Sequence, residues 1–446
     1  MKKNAYIGKI CLSLLLILAV FLAAAPMSNA IPDPGNVAVI NDIIGNNGLT
    51  GYDEDDISNW DFVTWDTGDE YIIELDLSYK GLTGNLDVSE LTNLESLDCS
   101  GNELTALDVA GLTNLECLDC SWNELTALDV SGLTNLEYLY CYENKLTALD
   151  VELTNLKVLE CFQNELTALD VSGLTNLEYL DCSWNELTAL DVSRLTNLEY
   201  LCCNGNQLTA LDVELTNLKS LYCSQNELTA LDVSGLTNLE NLDCYENQLT
   251  ALNVELTNLK VLNCFQNELT ALDLAGLNNL QYLDCSGNLL TELDVSSQTD
   301  LDTLYCEKNR LTRLDVTGLS ALTTLWCFDN QLTKPNVIGL AGLISLIDFR
   351  ADFSNDGKTS GGSGTGSAKI VDGTQSSSQN QDQGNTQPPI NQPQTQPQDN
   401  TQNNPQDQTG TEDKKPSIPT FVVIIAIVAI VGLVGIVAYQ KMKNNK

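Results

Sequence analysis

The stretch LTNLEYLDCSWNELTALDV, residues 174–192, decides how the chain is read. Leu177, Leu180, Leu187, Leu190 and Val192 are spaced as inward residues, and Cys182 stands where a further apolar core residue belongs. The unit returns every 20 or 21 residues, and a fixed short period has to be settled before any local motif. From Leu94 to about Asn330 the chain repeats L-x-x-L-x-C-x-x-N-x-L-T-x-L-D-V-x-x-L-T-N. Twelve cysteines keep this register: Cys99, Cys120, Cys141, Cys161, Cys182, Cys203, Cys223, Cys244, Cys264, Cys285, Cys306 and Cys327. An asparagine follows each by three residues, from Asn102 to Asn330. Twelve copies in one register do not arise by chance.

Such a unit cannot bury its own apolar face, so consecutive copies must stack. The L-x-x-L-x-C segment predicts a short parallel strand. Strands about 4.8 Å apart make twelve coils a rod of about 55–60 Å. The asparagines are expected to form an internal ladder whose amides satisfy turn backbone groups of adjacent coils. In L-T-x-L-D-V, the return stretch, Leu and Val face in and Asp faces out. A coil of this length has no room for a long helix. The 20-residue copies carry VELTNLK, with Lys157, Lys219 and Lys260, and NLKVLECFQNELTALD (155–170) recurs as NLKVLNCFQNELTALD (258–273), a sign of block duplication.

Before the repeats, IPDPGNVAVINDIIGNN offers Asp33 as helix N-cap, Pro34 at the first helical position and Gly45 as the stop. Val37, Ile40, Ile43 and Ile44 would share one side, and Trp60, Phe62, Trp65 and Tyr71 would cover the open end of the first coil. LISLIDF (343–349) keeps the leucine spacing without the cysteine, as a terminal repeat would.

This pattern resembles the internalin-type leucine-rich repeat proteins of bacterial surfaces, and most closely the internalin J-like repeats with a cysteine ladder. The likeness runs through the signal, the IPDP-opened cap and the repeats, roughly residues 1–350. It implies an extracellular ligand-binding or adhesive role through the concave sheet. The chain departs from it in having no LPxTG sorting motif and no obvious immunoglobulin-like domain after the repeats. The expected fold is a slim, curved α/β leucine-rich repeat solenoid with its parallel sheet on the concave face, an N-terminal helical cap and a C-terminal transmembrane helix.

The chain ends carry sorting signals. A basic leader, an apolar core and Ser28-Asn29-Ala30 make residues 1–30 a secretory signal peptide. The cap is assigned to 31–75 and the repeats to 76–350. Residues 351–417, rich in Ser, Gly, Gln, Asn and Pro, read as a disordered stalk spanning roughly 45 Å. Residues 418–440 read as a membrane helix. Lys441, Lys443 and Lys446 make 441–446 a cytoplasmic tail, which leaves the repeats extracellular.

Composition narrows the function. The chain has no histidine, and 61 acidic residues oppose 21 basic ones. Over residues 31–350 the count is 53 acidic against 11 basic, a net of −42. That surface repels nucleic acid. It favours cationic partners, divalent ions or neutral ligands such as glycans. Nucleophile–histidine pairs are impossible, and the carboxylate pairs are products of the repeat itself, so an enzyme is not expected.

Disulfides are the usual reading for an exported protein. Here stacked strands keep Cβ vectors parallel and about 4.8 Å apart, beyond disulfide reach. Ladder thiols in a row without histidine also cannot form a zinc tetrahedron. They are expected to be a buried column of free thiols. Cys117 and Cys202 fall on outward positions and are expected to be the reactive ones. The return-stretch aspartates, among them Asp129, Asp170, Asp191 and Asp232, stack in a column. Raised pKa values, turn amides or bound calcium could each relieve their repulsion.

Fifteen aromatics lie between Leu94 and Asn330, all at x positions of the strand segment: Trp122, Tyr138, Tyr140, Tyr142, Phe162, Tyr179, Trp184, Tyr200, Tyr222, Tyr245, Phe265, Tyr282, Tyr305, Trp326 and Phe328. Strand alternation predicts that they project from the concave face. With Asp181 and the neighbouring Glu95, Asp98, Glu116, Asp119, Glu137 and Asp243 they form the candidate ligand-binding surface. Cross-strand packing is the competing account of the rings. The sequence thus points to a cell-surface protein binding an extracellular protein or glycan, with a structural envelope or biofilm component as the alternative.

Overall fold

Asp33 caps the first helix. In a computed structural model, which describes residues 31–49, 51–52, 57–68, 70–333, 337–339 and 348–351, its carboxylate Oδ1 accepts the Asn36 backbone N–H at 3.1 Å. That cap, with Pro34 at the first position, starts α1 (Pro34–Asn47) as predicted. The stop differs. Gly45 stays helical and Gly48 ends the helix at φ 60°, its N–H bonded to the Ile44 carbonyl. Ile43 and Ile44 are both buried, and the extra turn supplies partners for their carbonyls, from Asn47 Nδ2 at 3.0 Å to Ile43 and from Leu49 N at 3.1 Å to Ile44. Ile40, Trp60 and Phe62 are buried with them, while Val37 and Trp65 pack half-buried against this core. Asn36 Oδ1 accepts from Ile72 N at 2.9 Å and ties the helix to the sheet.

Among the described residues one fifteen-stranded sheet runs from Val63 to Arg350. Val63–Trp65 pairs antiparallel with Ile72–Asp76, and every later step is parallel and in register. Leu180 lies opposite Leu159 and Leu201, and each neighbour of Leu180 faces its equivalent one coil away. Most repeat strands have only three residues, such as Tyr179–Asp181. The remainder of each coil is turns, and α1 is the one α-helix among the described residues. This is a leucine-rich repeat β-solenoid of about twelve turns with few helices. Asp348–Arg350 pairs with Thr324–Trp326, which places the cysteine-free terminal copy on the same sheet.

The core is the predicted set. Strand leucines, return-stretch leucines and valines, and all twelve ladder cysteines are buried, and the thiols are free. Asn185 shows how each turn closes. Its Nδ2 donates to the carbonyls of Cys161 and Cys182 at 3.1 Å and Ser183 at 3.3 Å, and its Oδ1 accepts from Leu166 N at 3.0 Å. One amide thereby satisfies groups on two coils. The arrangement recurs from Asn102 to Asn330.

A second asparagine ladder lies on the exposed edge. The Asn of L-T-N donates to the Thr carbonyl of the preceding coil, as in Asn176 to Thr154 at 2.9 Å and Asn197 to Thr175 at 3.0 Å. The signal peptide (1–30), residues 352–417 of the stalk, the apolar segment 418–440 and the tail 441–446 lie outside the described residues.

Candidate binding face

Each strand presents two outward residues around its central leucine, and a third outward position follows the cysteine. Among the candidate residues, Tyr138, Tyr140, Tyr142, Phe162, Tyr179, Tyr200, Tyr222, Tyr245, Phe265, Tyr282, Tyr305, Trp326 and Phe328 take these positions. All are half-buried, and many lie ring on ring with a neighbouring coil. Tyr142–Phe162 and Tyr179–Tyr200 stack with centroids 4.3 Å apart, and Tyr245–Phe265 at 4.5 Å. Tyr200–Tyr222 follows at 5.2 Å, and Tyr305–Trp326 meet edge to face at 4.8 Å. Such pairs contribute about 0.5–1.5 kcal/mol each beyond burial, so the rings serve the sheet as well as exposing one edge.

Trp122 and Trp184 do not share that face. Both have positive φ, 53° and 55°, at the turn position just before the ladder asparagine. Gly101, Glu143, Gln163, Gly205 and Gln225 occupy the same left-handed place in other coils. Strand alternation ends one residue earlier, so these tryptophans stand on the turn edge of the sheet. Trp184 lies over the next coil, with its ring where a Cβ on Gly205 would come within 2.7 Å. Trp122 is 52 % exposed. Tyr79, which the sequence reading passed over, has φ 52°, is 77 % exposed and similarly overlies Gly101. Extending the period back one coil, with Leu75 and Leu77 as its inward residues, would have found it.

The acidic side chains sit among the rings. Asp98, Asp119, Asp181 and Asp284 each accept the hydroxyl of the serine two residues on, and Asp243 accepts Ser224 Oγ at 2.6 Å from the coil before. Burial pushes all five carboxyls up, Asp119 to about 6 and Asp243 to about 7. Glu160 is driven to about 8 by burial and then by the negative charges of Asp181 and Asp119. Glu307, pushed to about 7 mainly by burial, has Oε2 buried with no hydrogen-bond partner, and Asn263 Oδ1 is likewise unpartnered. The face therefore presents surplus acceptors.

The basic residues of the short copies go elsewhere. Lys157, Lys219 and Lys260 pair with Glu137, Glu199 and Glu240 of the preceding coil at 2.5, 2.5 and 2.8 Å. Among the described residues no ion pair reaches Glu160, Asp181 or Asp243.

The expected reactivity of Cys202 does not hold. It faces outward but is buried, and burial raises its thiol well above the usual range. Stacked Tyr179 and Tyr200 stand on its own and the adjoining strand. Cys117 is half-buried with its thiol pushed up to about 12 by burial, so neither is an activated nucleophile. The return-stretch aspartates follow the turn-amide reading. Asp129 and Asp170 accept the N–H of Ser131 and Ser172 at 2.9 Å, and Asp191 that of Ser193 at 3.0 Å. Those serine bonds hold the three carboxyls below the usual range rather than above it.

Comparison with known proteins fits this architecture. The family model for leucine-rich repeats in two copies matches residues 175–215, 216–255 and 257–297, and the single-repeat model matches 93–115. Among curated proteins none matches. Among solved structures, the functional domain of InlJ from Listeria monocytogenes, which includes a cysteine ladder, is 38 % identical with TM-score 0.55. The match covers 60 % of this chain and 66 % of that one, just under two thirds of its length. The internalin InlF from Listeria monocytogenes is 25 % identical with TM-score 0.58, over 73 % of this chain and 99 % of that one. A leucine-rich repeat protein of Leptospira interrogans is 28 % identical with TM-score 0.52, over 62 % and 83 %.

Proposed function

We propose that this chain, an internalin-type leucine-rich repeat protein, is a cell-surface recognition or adhesion protein that binds an extracellular protein or glycan on the outer face of its sheet. Leucine-rich repeat solenoids are typically non-enzymatic binding scaffolds, and neighbours of the internalin type favour an extracellular or surface setting. Residues 1–30 would direct export, 418–440 would anchor the chain, and 351–417 would hold the solenoid off the membrane. The observation that carries the reading is the set of raised carboxyls beside the tyrosine run with no basic partner among the described residues. Cross-strand stacking accounts for ring pairs, but not for acidic groups held at a cost beside them. Function commonly explains such local penalties.

The test is to present the full-length chain to glycan arrays and to envelope and host-cell extracts, beside a variant carrying Tyr138→Ala and Tyr140→Ala. Binding that the double variant loses is the expected result. Binding that survives it refutes the face as the site. If nothing binds, and cells lacking the protein lose aggregation, the structural role in envelope or biofilm replaces this one.

A further inference from the structure

The last described strand shows what the sheet face accepts. Arg350 lies beside Trp326 in parallel register, and its guanidinium carbon sits 4.1 Å from the centre of the Trp326 ring. It also acts on Glu307, whose carboxyl its positive charge draws down against the effect of burial. A planar cation on an aromatic face beside a partly buried carboxylate is thus already realised once, within the chain itself. Guanidinium suits that setting because it stacks flat, is weakly hydrated for a cation and offers five N–H donors.

The middle of the sheet repeats the setting without the cation. Tyr179, Tyr200 and Tyr222 form a continuous run of rings. Glu160 and Asp181 lie at one end of this run and Asp243 at the other, on strands of the same sheet. No basic side chain pairs with any of the three among the described residues. Asn263 Oδ1, one strand beyond Asp243, has no donor. The chain as a whole carries a formal charge of −40. Acceptors, rings and negative charge are therefore all supplied, and donors with positive charge are missing.

We propose that this central patch takes the guanidinium groups of an arginine-bearing polypeptide partner lying extended across the strands. The inference rests on the reading of the face as a recognition surface and names the chemistry of its partner. Asp181 and Asp243 are three strands apart, roughly 14 Å at the usual strand spacing. In an extended peptide, residues i and i+4 are separated by nearly the same distance, about 13.5 Å, and point to the same side. Two arginines four residues apart would meet both carboxylates and leave the tyrosine run between them.

The probe is a short synthetic peptide with two arginines four residues apart, titrated against the full-length chain and paired with the same peptide carrying citrulline, which keeps the shape and loses the charge. The arginine peptide is expected to bind and to weaken as salt is raised, with the citrulline peptide weaker by about tenfold or more. A variant carrying Asp181→Asn and Asp243→Asn, both near-isosteric, is expected to lose a similar factor while its thermal unfolding midpoint is unchanged or raised. Equal binding of the two peptides, or full affinity in the variant, overturns the proposal. If the arginine peptide does not bind but a glycan or extract component does, and Tyr140→Ala removes it, the cationic partner is wrong and the recognition face stands. If neither binds, both fall.

Discussion

Asn185 offers a direct test of what holds the coils together. Four hydrogen bonds meet at its buried amide: three donated, to the carbonyls of Cys161, Cys182 and Ser183, and one accepted from Leu166 N. Asn185→Ala leaves the buried Leu166 N–H without its acceptor and takes one donor from each of the three carbonyls, which keep their bonds from Asn164 Nδ2, Asn206 Nδ2 and Gln163 N. With the penalty of one unsatisfied buried N–H and a partial loss at the three carbonyls, the variant should lose about 2–4 kcal/mol. Asn185→Asp is nearly isosteric and asks a finer question. An ionised carboxylate can still accept from Leu166 N but faces three carbonyl oxygens with no donor, whereas the protonated acid can donate to one of them. The folded protein therefore raises the pKa of an aspartate here above its unfolded value. Its stability is retained at low pH and lost as pH rises through the folded value. Asn176 on the outer ladder is the control. It is exposed and makes one bond, to Thr154 O at 2.9 Å, so Asn176→Ala should lose no more than about 1 kcal/mol. Urea denaturation followed by circular dichroism at several pH values measures all three variants. Equal losses for Asn185→Ala and Asn176→Ala, or an Asn185→Asp variant whose deficit ignores pH, would refute the account of the ladder.

Three further outcomes follow from the face and its edge. Glu160 rises from 4.5 to about 8 on folding, so its contribution is fully present below its unfolded value and lost as pH rises through about 8. Glu160→Gln should thus leave stability at low pH nearly unchanged and raise it at pH above about 8. The full rise corresponds to at most ~5 kcal/mol, and partial access of water lowers the expectation to about 2 kcal/mol; identical pH profiles for parent and variant in urea titrations would contradict it. Gly205→Ala should cost about 1–2 kcal/mol, because Gly205 has φ 63° and the new methyl would meet the Trp184 ring at 2.7 Å. Adding Trp184→Ala should recover the steric part in a double-mutant cycle, and strictly additive losses would show the ring plays no part. Thiol titration of the folded protein should find the twelve ladder cysteines reduced and silent until denaturant is added, and rapid reaction of Cys202 in the native state would mean that the outer face does not cover it.

What could be read from residues alone was the repeating unit. The inward leucines, the cysteine column, the asparagine ladder and the solenoid all follow from a period kept over twelve copies, because each copy solves the same packing problem. The Asp33-Pro34 start of α1 was equally legible, since a helix N-cap is local chemistry. Its end was not. Gly45 and Gly48 both qualify as stops, and the burial of Ile43 and Ile44 against the first coils selects the later one.

The face needed the tertiary structure. Parity along a strand assigns Tyr140 and Tyr200 correctly but fails three residues beyond its end. There the backbone turns left-handed and carries Trp122 and Trp184 to the edge. Lys157, Lys219 and Lys260 meet glutamates about twenty residues earlier, so only stacking makes them neighbours. The buried state of Cys202 and the raised carboxyls of Glu160 and Asp243 depend on what the adjoining coils place beside them. A repeat sequence specifies each coil and its inward residues. The environment of an outward residue is made by two other coils, and that environment exists only once the coils are stacked.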